Sequence, residues 1–190
     1  MTGQSAADVS DDCLLVEAAR RGDRSAYGRL YDRYARMVHG ILLARVPLND
    51  VDDLVHDVFL QALPRLPSLR DATRFGAWLA AITRNRANDY HRQSVDEVEL
   101  TDDVSGGQAA SGLNDADSAE AASILAAVRS LPETYRETLL LRLVEGMTGP
   151  EIAARTGLTA GSVRVNLHRG MQQLREKLAQ PAHKGINHER

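Results

Sequence analysis

Cysteine is nearly missing from this chain of 190 residues: Cys13 stands alone, which excludes an internal disulfide and a cysteine-built zinc cluster. It reads as a small apolar residue on the first helix. Aromatic residues are scarce as well, with one Trp and two Phe, and no long β-branched alternation occurs, so strand signals are weak while Ala, Leu and Arg dominate. The fold expected is all-α. No stretch reaches about 18 consecutive apolar residues and no charged-then-apolar segment opens the chain, so no membrane insertion and no secretory leader is expected, and the chain is expected in the cytoplasm. Signatures of catalysis are missing too: there is no HExxH, no phosphate-cradling loop and no nucleophile elbow, and His39, His91 and His168 are scattered. Neither an enzyme nor a cofactor or metal site is expected.

The net charge of -3 conceals a division along the chain. Residues 12–92 hold thirteen Arg against ten acids, and residues 124–180 hold eight bases against five acids. Between them, residues 93–123 hold eight acids and no base. That strip is rich in Asp, Ser, Gly and Ala and poor in large apolar residues, so it reads as a flexible tether. The organisation expected is a tail at 1–11, a small helical domain at 12–95, an acidic flexible linker at 96–121, a second small helical domain at 122–179 and a tail at 180–190. Blocks of this size are small but within the range that folds alone.

Local signals place four helices in each block. In the first, Ser10 and Asp23 are expected caps, Pro47 closes the second helix, Asn49 caps the third and Pro64 ends it. The fourth carries an apolar side of Phe75, Trp78, Leu79 and Ile82 and a polar stripe of Arg84, Asn85, Asn88, Asp89 and Arg92. In the second block Leu139, Leu140 and Leu143 are expected inside a helix opened by Pro132 and finished by Gly146.

The stretch "GPEIAARTGLTAGSVRVNLHRGMQQLREKL" then gives a short helical pattern, a glycine turn and a long helical pattern. Val163, Leu167, Met171, Leu174 and Leu178 recur every three or four residues and form an apolar stripe. The opposite face carries Arg164, Asn166, His168, Arg169, Gln172 and Arg175, cations and amides suited to phosphates and base edges. With Pro150 at the start, Gly157 in the turn and Thr159 as cap, the pair matches a helix-turn-helix, whose second helix lies in the major groove. A hairpin with a solvated basic face is the plainer alternative.

Four segments in order, "DVDDLVHDVFLQAL", "FGAWLAAITRNRANDYHR", "LPETYRETLLLRLVEGMTGPEIAARTG" and "GSVRVNLHRGMQQLREKL", resemble the extracytoplasmic-function (ECF) group of sigma-70 family RNA polymerase sigma factors. The resemblance implies sigma domain 2, which binds the polymerase clamp and opens the -10 element, and sigma domain 4, which reads the -35 element. It implies polymerase contacts at Asp53, Leu54, Val55, His56, Asp57 and Phe59. It implies -10 contacts at Leu69, Arg84, Asn85 and Arg92, with Leu69 lining a pocket for a flipped base. It implies -35 contacts at Thr159, Ser162, Arg164, Val165, His168 and Arg169. Val165-Asn166 departs from the Ser-Arg pair common in the group, and Gly170 replaces a usual Ala. The partners implied are core RNA polymerase, through its largest-subunit clamp and its flap, promoter DNA and an anti-sigma factor.

Two other classes compete. A two-domain helix-turn-helix repressor or activator would use the same hairpin without polymerase, and an enzyme is hinted at by His56-Asp57 alone.

Overall fold

The computed structural model describes residues 5–98 and 115–179. Within them the chain forms α1 (Ser5–Arg20), α2 (Arg24–Leu43), α3 (Val51–Arg65), α4 (Phe75–Val98), α5 (Asp115–Arg129), α6 (Glu133–Leu143), α7 (Gly149–Thr156) and α8 (Ala160–Ala179). Tight 3-10 turns at Leu48–Asp50, Leu66–Ser68 and Ala72–Arg74 flank α3 and lead into α4. No strand occurs among the described residues, and the all-α expectation holds.

The best-signalled helix is also the central one. Asp23 caps α2, its Oδ1 accepting from the backbone N–H of Ser25 at 2.9 Å and of Ala26 at 3.0 Å. Leu30, Met37, Val38, Ile41 and Leu42 are then fully buried along one side. Helix α2 packs against α1, α3 and α4, while α6 packs against α5, α7 and α8.

Boundaries differ from the sequence expectation where a capping residue was credited too readily. Helix α1 starts at Ser5, ahead of the expected Ser10 cap, because Ala6 and Ala7 offer nothing that would stop it. Asn49 caps nothing: α3 starts after Asp50, which makes no side-chain cap bond and instead accepts from the Tyr90 hydroxyl at 2.6 Å. Pro64 lies inside the last turn of α3, where its missing N–H forfeits one bond before the chain tightens into the next 3-10 turn. Helix α4 runs on to Val98, and α5 begins at Asp115, inside the stretch read as linker. The remainder of that linker, residues 99–114, and the tail at 180–190 lie outside the described residues.

The two blocks dock on each other. Glu137 of α6 is 5% exposed and held by two cations of the first block, Arg45 at 2.7 Å and Arg84, which forks onto both carboxylate oxygens at 2.7 and 3.2 Å. Arg136 donates to the Ala44 carbonyl at 2.9 Å, and Arg155 donates to the Arg33 carbonyl at 2.7 Å with its guanidinium 5.5 Å from the Tyr34 ring centroid. Three glycines let the backbones close: an added Cβ would stand 2.7 Å from Leu141 at Gly40, 2.7 Å from the Arg155 carbonyl at Gly76 and 2.8 Å from the Ala77 Cβ at Gly157. Burial alone would push the Glu137 carboxyl up, but its hydrogen bond and charge contacts with Arg84 and Arg45 outweigh this and hold it below the ordinary carboxylate value.

A second carboxylate of the same face, Glu145, is 6% exposed and meets His39 of α2, with Nδ1 to Oε1 at 2.6 Å. The Glu145 hydrogen bond raises the His39 pKa above its ordinary 6.5, against the opposing effect of burial, and the Asp52 carboxylate 4.0 Å from Nε2 adds to it. Arg36 lies 3.8 Å from Glu145 on the other side, and His56 lines the same hollow. A raised folded-state pKa stabilises fully below the unfolded value and fades as pH rises through the folded one. The thermal midpoint should therefore fall as pH rises above 6.5 in circular dichroism melts. His39→Gln should flatten that dependence; an equally steep fall in the variant would exclude His39 as its source.

Candidate nucleic-acid interface

The hairpin of α7 and α8 is built by local rules. Thr148 and Glu151 form a reciprocal capping box: the Thr148 N–H donates to Glu151 Oε2 at 2.7 Å, and the Glu151 N–H donates to Thr148 Oγ1 at 3.4 Å. The hydrogen bond from the Thr148 backbone, aided by its hydroxyl, holds the Glu151 carboxyl below its ordinary value. Gly157 adopts φ 78° and ends α7 in the left-handed conformation. Thr159 caps α8, accepting from the Ser162 N–H at 3.1 Å. The sequence spelled out this box as "TGPE", a signal the sequence reading passed over.

On α8 the side turned to the core carries Val163, Asn166, Gly170 and Leu174. Asn166 was expected on the polar face, yet it is 6% exposed and donates to Thr138 Oγ1 at 3.4 Å, a polar tie between α8 and α6. Leu178, expected on the stripe, is 49% exposed, and Leu143 of α6 is 48% exposed. Gly170 has a packing reason: a Cβ there would lie 3.0 Å from Leu139 and 3.1 Å from Tyr135, so glycine lets α8 sit close on α6.

Thr159, Ser162, Arg164, Val165, His168 and Arg169 are all exposed. Among the described residues no carboxylate pairs with Arg164 or Arg169. A helix of 20 residues presenting cations, the Ser162 hydroxyl and the exposed Val165 has what major-groove edges and phosphates require.

The other candidate residues sit differently. Leu69, between two 3-10 turns, is 7% exposed and belongs to the core. Asn85 is exposed on α4, Arg92 pairs with Asp89 one turn away, and Arg84 is engaged with Glu137. On α3, Leu54, Val55 and Phe59 are buried, whereas Asp53 and His56 are exposed. Asp50, Asp53 and Asp57 line one hollow with Arg86 and Tyr90, and Arg86 holds Asp57 at 3.0 Å. The exposed face of α3 continues into Leu60 and Leu63, at 69% and 43%, which the sequence reading missed. Their signal was present, since both fall off the stripe of Val51, Leu54, Val55, Val58 and Ala62. Among the described residues no group of three His, Cys, Asp or Glu side chains is placed to hold a metal ion. No helix there is long and apolar enough to cross a membrane.

A capped helix-turn-helix with an open cationic helix, docked on a second helical unit that shows an acid-and-leucine face, defines a two-domain helical DNA-binding protein. The family "Sigma-70 region 2" matches residues 30–95, and "Sigma-70, region 4" matches residues 121–174. The ECF RNA polymerase sigma-E factor of Escherichia coli K12 is 31% identical over 179 residues, covering 88% of this chain and 94% of that one. The RNA polymerase sigma factor CarQ of Myxococcus xanthus is 32% identical over 169 residues, covering 87% and 96%. The solved structure of CnrH in complex with the cytosolic domain of CnrY is 27% identical, with TM-score 0.63 over 90% of this chain and 99% of that one. The chain belongs to the ECF group of sigma-70 family RNA polymerase sigma factors. Sigma factors are DNA-binding regulatory subunits that bring core RNA polymerase to promoters, and these relatives do not favour the repressor reading.

The capping box should be worth about 1 kcal/mol to the hairpin. Thr148→Ala should lower stability by that amount in urea unfolding. Adding Glu151→Ala should cost little more, because the two side chains act as one unit. Full additivity would show that they do not.

Proposed function

We propose that this sigma factor divides its work by helix face. The exposed face of α8, with Arg164, Val165, His168 and Arg169 and the cap residues Thr159 and Ser162, reads the -35 element in the major groove. Helix α4 and the turn before it, with Leu69, Arg84, Asn85 and Arg92, serve the -10 element. The face of α3 with Asp53, His56 and Asp57, supported from beneath by Leu54, Val55 and Phe59 and extended by Leu60 and Leu63, docks on the clamp of the largest polymerase subunit. The second domain, residues 122–179, also meets the flap, and the acidic linker runs in a basic channel of the polymerase. The protein works in the cytoplasm, catalyses no covalent step of its own and is restrained by an anti-sigma factor. The observation that carries this reading is the exposure of all six -35 candidates, five on α8 and Thr159 at its cap, while Val163 and Leu174 are buried behind them.

Reconstituted transcription with bacterial core polymerase and genomic promoter fragments tests it. Initiation should require both the protein and core. Arg164→Ala or Arg169→Ala should each cost about 1–3 kcal/mol in promoter discrimination, roughly a 5- to 200-fold loss of transcript, with no change in thermal stability because both side chains are exposed. Leu60→Ala with Leu63→Ala should weaken capture of core while leaving DNA contacts alone. Tight sequence-specific binding without core, and no initiation with it, would return the protein to the repressor class.

A further inference from the structure

At positions 165 and 166 helix α8 inverts the usual order of polarity. Val165 is 46% exposed, whereas Asn166 is 6% exposed and spends its amide on Thr138. A single exposed valine is ordinary on a protein surface. This one has a particular place. With about 100° per residue, Val163, Asn166, Gly170 and Leu174 mark the core side of α8, and Val165 falls near the middle of the opposite side. Arg164 and His168 flank it on one edge, and Ser162 and Arg169 on the other, all exposed.

Gly161 supplies a second observation. Helical side chains lean toward the N-terminus, so the Val165 side chain lies over the residue one turn earlier, which is Gly161. Packing does not require glycine there: among the described residues an added Cβ would meet only Thr159 Oγ1, at 3.9 Å. Gly170 on the same helix is the contrast, since a Cβ there would press on Leu139 at 3.0 Å. Glycine inside a helix costs stability relative to Ala, and at 161 the fold gains no close contact in exchange. What it leaves is a shallow apolar notch on the exposed face, floored by the Gly161 backbone and walled by Val165.

We infer that Val165 and Gly161 read the 5-methyl group of a thymine in the -35 element. This rests on the reading that the exposed face of α8 lies in the major groove. There thymine alone of the four bases displays a methyl, and apolar side chains recognise it by contact. Arg164 and Arg169 supply attraction to phosphates and guanine edges, and neither offers an apolar contact of this kind. The β-branch of valine fixes χ1, so its methyls are in position before DNA arrives. Glycine beneath lets the base edge approach the helix closely. An apolar contact the size of one methylene corresponds to roughly a fourfold change in binding.

The test uses this protein assembled with core polymerase, on a promoter that initiates with it. Each -35 thymine is replaced in turn by uracil, which pairs identically and lacks only the methyl, and binding is read by competition against the unmodified promoter. One replacement should weaken binding by the parent about 3- to 5-fold. In Val165→Ser the same replacement should cause no further loss. Gly161→Ala should fill the notch and lower the thymine preference while leaving the thermal midpoint equal or higher, because Ala is the better helix former. A merely structural role for Gly161 would not separate those two readouts. A parent with no uracil-sensitive position, or equal sensitivity in Val165→Ser, would overturn the thymine assignment. Failure of the major-groove reading has its own signature: Arg164→Ala and Arg169→Ala would leave promoter binding intact, and this inference would fall with it.

Discussion

The arrangement depends on a buried carboxylate. Glu137 lies almost wholly out of water, a position that is unfavourable for a charge unless it is paired and hydrogen-bonded. Arg45, just beyond α2, and Arg84, on α4, meet that requirement from the far domain. Around this point the buried residues form one cluster that includes Met37, Ile41 and Leu79 of one block and Leu139, Leu140, Leu141 and Ile152 of the other. Two units of small size therefore share an interior that neither has alone.

What could be read from the sequence was what local rules determine. Asp23, Gly157 and Thr159 mark helix ends by the bonds they make or the φ they adopt, and each does so in the structure. The apolar stripe of α2 and the hairpin of α7 and α8 follow from periodicity. On α8 the misreadings arose where tertiary contact overrides the local rule. Asn166 looks like a DNA-facing amide by its type, but Thr138, 28 residues away, gives it a partner inside. Gly170 looks like a weak point in a helix until Leu139 is seen against it.

The docking of the blocks was not legible for the same reason. Arg84 and Glu137 are 53 residues apart, and Arg155 and Arg33 are 122 apart, with the acidic strip between the two partners in each case. No periodicity or motif links such positions. A glycine in a helix carries a local penalty in any sequence reading, whereas Gly40 and Gly76 have their value only in the presence of Leu141 and the Arg155 carbonyl.

The same interface sets what any partner has to do. A ligand shifts an equilibrium between docked and open forms only by the difference in its affinity for the two. DNA that meets α8 alone finds its cations exposed in the docked form, so that contact by itself does little to open the chain. A ligand that needs Arg84 must compete with Glu137, and its binding is linked to opening by that competition.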